Sequence, residues 1–260
     1  MLTFALCRRK PESLELTPHR SFRTPPDYGS PISPLSAPLD MIRSSGVCSK
    51  VTLEIIGDMQ RCTSMFLARW NHMGDAPVMS SGQLAGYDAQ LQAIYSRILS
   101  LPSSEDDLVP DWTYESCRIA ALIYCRSIIH GATFADSANI MPARLSASNS
   151  GGATLLSSLH EALGKTDTLR CWDPDLSGVF LWINLIGSAA SWDTPHSLSR
   201  GQDEEKSRSL AWMRKCFTLY AVRAAVSVPF EQADTMIQAL RTMLEVRRCV
   251  NAKMGLHTTR

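Results

Sequence analysis

The chain has 260 residues, is 45% hydrophobic and 20% charged, and carries a formal net charge of +1. This is the composition of an ordinary globular protein of one large or two small domains. So small a net charge excludes any global attraction to nucleic acid, anionic membrane or acidic partners.

Residues 1–48 form the first compositional zone and hold half of the 14 prolines (Pro11, Pro18, Pro25, Pro26, Pro31, Pro34 and Pro38). A Pro/Ser-rich segment without periodicity buries too little apolar surface to offset its ordering entropy, which predicts a disordered arm or linker. The apolar start Met1–Cys7 precedes Arg8-Arg9-Lys10, the reverse of the order in a secretory signal. That triplet reads as a solvated tail, with a nuclear-localisation fragment or a phosphate contact as alternatives.

From residue 49 to about 255 the periodicity is helical. Val51, Ile55, Met59, Cys62, Phe66 and Trp70 mark a first helix by steps of three and four. Leu84, Tyr87, Leu91, Ile94, Ile98 and Leu101 mark a second, capped by Ser80 or Ser81 and stopped by Pro102. Its seam covers fewer than three heptads, so it reads as a helix laid on the core rather than a coiled coil. The third runs between Asp111, suited to an N-cap, and Gly131, suited to the left-handed turn that ends a helix. Only Arg118 and Arg126 carry positive charge within it, and apolar residues occur almost all round, which predicts burial.

A loop-like stretch rich in Ser, Ala and Asn follows, ending in Gly151-Gly152. Leu155, Leu156, Leu159 and Leu163 mark the fourth helix, and Ser177–Ala190 the fifth, again apolar on all sides. The small residues Gly187, Ser188, Ala189 and Ala190 would let another helix approach closely. A loop with Asp193-Thr194-Pro195 and the run Asp203-Glu204-Glu205-Lys206 leads to the sixth, marked by Leu210, Met213, Phe217, Tyr220 and Ala224. Phe230, Ala233, Ile237, Leu240, Leu244 and Arg247 mark the seventh. No alternating β-branched run marks a strand and no fixed period marks a solenoid. The expected fold is all-α: a single helical domain of about seven helices, two of them buried at the centre, over residues 49–255. The longest apolar run, Val179–Ala190, is too short to span a bilayer, so no membrane association is expected.

Chemical motifs are sparse. The eight cysteines are scattered, the closest two eight positions apart, so no Cys-x-x-Cys zinc or redox motif exists. They read as reduced core residues of a cytosolic or nuclear protein. His160-Glu161 lacks the second histidine of a zinc protease, with Gly164 in its place, and there is no nucleophile elbow or phosphate loop. No catalytic residue, metal or cofactor is expected, and His130, His160 and His196 should be dispersed. His130, at the end of the central helix, suits the terminal carbonyls. Arg118 needs an acidic or carbonyl partner, Glu115, Asp167, Asp173 or Asp175, serving either as a buried staple or as an effector contact. Asn184 poses the same choice between a helix–helix hydrogen bond and a ligand contact.

The phrase Trp112-x-Tyr114-Glu115-Ser116-Cys117-Arg118-Ile119-Ala120-Ala121-Leu122-Ile123-Tyr124 resembles a segment of the fungal-specific transcription factor domain, the α-helical regulatory domain of fungal zinc-cluster factors. Leu156-x-x-Leu159-His160-x-Ala162-Leu163-x-Lys165-Thr166-Asp167, Trp172, and Gly178-Val179-Phe180-Leu181-Trp182-Ile183-x-Leu185-Ile186-Gly187 follow in the family's order. Val222-Arg223 and Phe230-Glu231-Gln232-Ala233 are similar to its closing segments. The resemblance covers roughly residues 50–250. It implies a nuclear, or nuclear and cytoplasmic, regulator that acts through protein partners, homodimerisation or a small-molecule effector. The family's six-cysteine cluster has no counterpart, since only Cys7 and Cys48 precede the helices. Direct DNA binding by this chain alone is therefore not expected, and a truncated gene model, a split product or a protein acting through partners would each fit. The alternative is a helical interaction scaffold derived from such a regulator, without a transcriptional role.

Overall fold

Apolar residues recurring every three or four positions give most of these helices one face to bury, and those faces meet in one core. The computed structural model describes residues 30–32, 48–71, 81–104, 107–140, 154–168, 170–172, 175–192, 203–228 and 230–258. Among them the secondary structure is entirely helical. The elements are α1 (Lys50–Asn71), α2 (Ser81–Ser100), α3 (Trp112–His130), α4 (Phe134–Ala138), α5 (Leu155–Lys165), α6 (Ser177–Ala190), α7 (Asp203–Ser227) and α8 (Ala233–Thr258). A 3-10 turn over Phe230–Gln232 precedes α8.

Two helices hold the centre. Every residue of α6 is buried, and so is every residue of α3 from Tyr114 to Cys125. Helix α3 touches α1, α2, α4, α5, α6 and α8, while α6 packs most extensively on α7. Burying each large side chain such as Trp182, Phe66 or Tyr124 contributes roughly 1.5–3 kcal/mol. The ends of α3 are as its sequence predicts. The Asp111 side chain accepts from the Tyr114 N–H at 2.9 Å, and Gly131 adopts φ 62°.

Four details differ from the sequence reading. The stretch after Gly131 contains the short helix α4, nucleated by Thr133, whose side chain accepts from the Asp136 N–H. The run Asp203-Glu204-Glu205-Lys206 opens α7 instead of preceding it, where acidic residues suit the helix dipole. The buried face of α8 is Ala239, Met243, Val246 and Val250, with the expected Leu240 and Leu244 part-buried against the same core, while Phe230 and Ile237 are exposed. A period counted from Phe230 crosses a turn of 3.0 residues, not 3.6, and so falls on the edge of the face that follows. Finally, the cation on the last carbonyls of α3 is not His130. Lys253 of α8 donates to Ile128 O at 3.0 Å and Ile129 O at 2.5 Å.

Of the expected arm over residues 1–48, only 30–32 and 48 are among the described residues, and Ile32 is fully buried in the common core. Arg8-Arg9-Lys10, Gly151-Gly152, Asp193-Thr194-Pro195 and His196 lie outside the described residues. No described helix is long and apolar enough to cross a membrane.

Candidate functional site

The first candidate, Arg118, faces inward from the second turn of α3. Its Nε donates to Glu115 Oε2 at 3.0 Å and an Nη to Oε1 at 2.5 Å, a two-point ion pair in which both side chains are buried. Spacing explains the geometry, because residues three apart share a helix face. Of the acidic partners the sequence offers, Glu115 is the one engaged.

The same carboxylate holds the α2–α3 connector. Ser103 Oγ donates to Oε1 at 3.2 Å and the Ser104 N–H to Oε2 at 3.1 Å. Ser104 Oγ accepts in turn from the Asp111 N–H at 2.6 Å, and the Tyr114 hydroxyl donates to Pro102 O at 2.8 Å. Burial pushes the Tyr114 phenol up to about 12, so it stays a donor at any physiological pH. Arg118 thus sits in a closed polar knot that ties the connector to the start of α3. Its chemistry is that of a staple.

Asn184 is differently placed. Its Nδ2 donates to Phe180 O one turn back in α6 at 2.7 Å, while the buried Oδ1 accepts no hydrogen bond. The helix–helix bond expected of it is therefore not the one made. Ser177, Phe180 and Asn184 share one face of α6. Near the start of that face, Thr168, Trp172, Ser177, Phe180, Arg223, Ala224 and Ser227 line a small recess. Arg223 is fixed there by Thr168, through Oγ1 at 2.9 Å and the backbone O at 3.2 Å. The recess holds about one water molecule, far less than the pocket of a small-molecule ligand.

His130 and His160 have different aromatic neighbours. His160 meets the Phe217 ring edge-on at 5.8 Å, and burial lowers its pKa. His130 packs edge-on against Tyr95, its pKa lowered by burial and then by Arg126 and Lys253. No group of three or more His, Cys, Asp or Glu among the described residues is placed to hold a metal ion. The described cysteines are free thiols. Cys125 donates to Met59 Sδ at 3.8 Å, and its thiol is pushed up by a hydrogen bond with Cys62 and by burial. Burial, then Asp111, raises Cys48 to about 11, and burial, then Glu245, raises Cys249 to a similar value. Such thiols remain protonated at neutral pH and are poor nucleophiles.

One polar cluster escaped the sequence reading. Asp58 is buried between α1 and α2, where Arg97 donates to it through Nε at 2.7 Å and through an Nη, and Arg61 adds a further contact. The signal was present: Asp58 falls between Ile55 and Cys62 on the apolar face of α1, and a carboxylate there requires a cation. Comparison with known proteins finds no matching family, no matching curated protein and no matching solved structure.

Proposed function

We propose that the chain is a transcription-regulator-like helical domain, similar to the regulatory domain of fungal zinc-cluster factors, which works in the nucleus through protein contacts and does not read DNA by itself. The observation that carries this reading is the order of the resembling phrases. They occupy the first two-thirds of α3, α5 with its following link, α6, and the junction of α7 with α8. The recess at Arg223, with room for about one water, does not itself serve as an effector site.

The test is to fuse the full chain to an unrelated DNA-binding domain upstream of a reporter gene. A regulatory domain changes reporter output. An interaction scaffold without a transcriptional role, the second reading, leaves output at baseline while still capturing its partner. Sequence-specific DNA binding by the unfused chain, resistant to salt in a gel-shift titration, would refute the first reading.

A further inference from the structure

Between residues 17 and 34 four prolines directly follow a Ser or Thr: Thr17-Pro18, Thr24-Pro25, Ser30-Pro31 and Ser33-Pro34. Elsewhere in the chain the pairing occurs once more, at Thr194-Pro195. Ser/Thr-Pro is the unit that proline-directed protein kinases modify. Thr17-Pro18-His19-Arg20 adds a cation three positions on, which the acidic groove of such an enzyme would pair with. A lone pair of this kind is a weak signal. Four in one short stretch, with Ile32 between the last two, are a stronger one.

Ser30-Pro31 lies among the described residues, at a point where the chain is anchored. Pro31 and Ile32 are buried, and Ile32 belongs to the core shared by the helices, with no exposed surface. Ser30 is half-buried beside them, and its Oγ accepts the Ile32 N–H at 3.1 Å. A serine hydroxyl bonded to the backbone two residues on closes a turn. A kinase takes its serine and the following proline in extended form, so the turn is the wrong shape for it. The proline is also out of reach while it is packed in the core. Seated, Ser30 is shielded; unseated, it is a substrate.

Linkage requires the converse. A phosphate brings a charge of about −1.5 to −2 and oxygens that need water or cations. On Ser30 it stands next to buried Pro31 and two residues from Ile32, where losing its hydration is costly. The modified residue therefore favours the unseated segment.

We propose that Ser30 is a phosphorylation site for a proline-directed kinase, gated by the seating of Pro31 and Ile32 in the core. The segment is modified when it leaves the core, and the phosphate then holds it out. In the transfer Ser30 Oγ attacks the γ-phosphorus of ATP and its proton passes to the kinase's carboxylate base. The bond from that phosphorus to the β-phosphate oxygen breaks, and ADP leaves. The gate operates equally in a transcriptional regulator and in a scaffold, so it stands or falls separately from that reading.

The test is to incubate the full chain with a purified cyclin-dependent kinase, ATP and Mg²⁺, and to follow each site by mass spectrometry. Phosphate is expected on Ser30 of the wild type, slowly. Ile32→Ala, with its helical circular dichroism intact, is expected to raise the Ser30 rate roughly tenfold or more and to leave the Thr17 rate unchanged. Should that variant lose its helical signal, the chain carrying Thr17→Ala, Thr24→Ala and Ser33→Ala decides. Once Ser30 is phosphorylated there, chymotrypsin is expected to cleave after Tyr28 roughly tenfold faster than in the unmodified chain. Absence of phosphate from wild-type Ser30 after exhaustive incubation overturns the proposal. So does a Ser30 rate that a folded Ile32→Ala variant leaves unmoved, or cleavage at Tyr28 that phosphorylation does not quicken.

Discussion

Helices α3 and α6 occupy the same core, yet they are held there by different means. Helix α3 is specified at both ends: Asp111 caps its start, Gly131 turns its end, and Lys253 takes up its last carbonyls. Its buried charge is answered by Ser103, Ser104 and Arg118 around one carboxylate. Helix α6 begins at Leu176 with no side-chain cap and ends at Ser191, φ −84°, without a left-handed residue. Its one buried amide is half satisfied. What fixes α6 is fit: a Cβ on Gly187 would lie 2.5 Å from the Phe217 ring of α7. One buried helix is thus written into local chemistry, the other into the shape of its neighbours.

The sharpest way to break this contrast is at Arg118. Replacing Arg118 by Leu leaves Glu115 buried with only the Ser103 and Ser104 donors, and removing one partner of such a pair costs about 3–5 kcal/mol. Urea unfolding should show a loss of that size, and an unchanged midpoint would mean the knot is not a staple. Gly187→Ala probes the other helix. Alanine favours a helix by up to about 1 kcal/mol over glycine, but forcing the Phe217 ring aside costs about 1–3 kcal/mol. A net destabilisation is expected, and a more stable variant would show that α6 and α7 are not in close register.

Gly131→Ala should cost about 1–2 kcal/mol, since residue 131 has φ 62° and a Cβ would meet Lys253 Cγ at 2.8 Å. Asn184→Leu has the opposite sign. It removes a buried acceptor without a partner, so stability should hold or rise by about 1 kcal/mol in a thermal melt. A loss above that would reveal a donor to Oδ1.

The smallest effect is that of pH. His160 has a lowered pKa when folded, because burial penalises its charged form. Its neutral form contributes stability that is fully present above the ordinary histidine value near 6.5, and is lost as pH falls through the lower folded value. Melts between pH 7 and 5 should show this decline, and His160→Phe should lessen it while keeping an aromatic contact with Phe217, the lowered pKa of His130 accounting for part of what remains.

The contrast also explains what the sequence could disclose. The caps of α3 and the pairing of Glu115 with Arg118 depend on residues within a few positions of one another. Asp111, Gly131 and the i, i+3 spacing therefore announce them. The burial of α6 is readable from its unbroken apolar run, and its run of small residues announces the close approach of a neighbour. That the neighbour is Phe217 is a tertiary fact with no local signature. The same holds for Lys253 at the end of α3, where His130 was the nearer candidate by sequence.

Lys253 has a consequence in time as well as in energy. Its bonds to Ile128 O and Ile129 O join positions 125 and 124 residues apart in the chain, among the widest separations in the core. Closing so long a loop costs entropy that nearby contacts do not, and such bonds form after the local ones that nucleate folding. Helix α3 is therefore expected to gain this carbonyl partner late in folding. Lys253→Met should quicken unfolding in stopped-flow traces while leaving the folding limb unmoved. The far end of the chain acts as the latch on its middle.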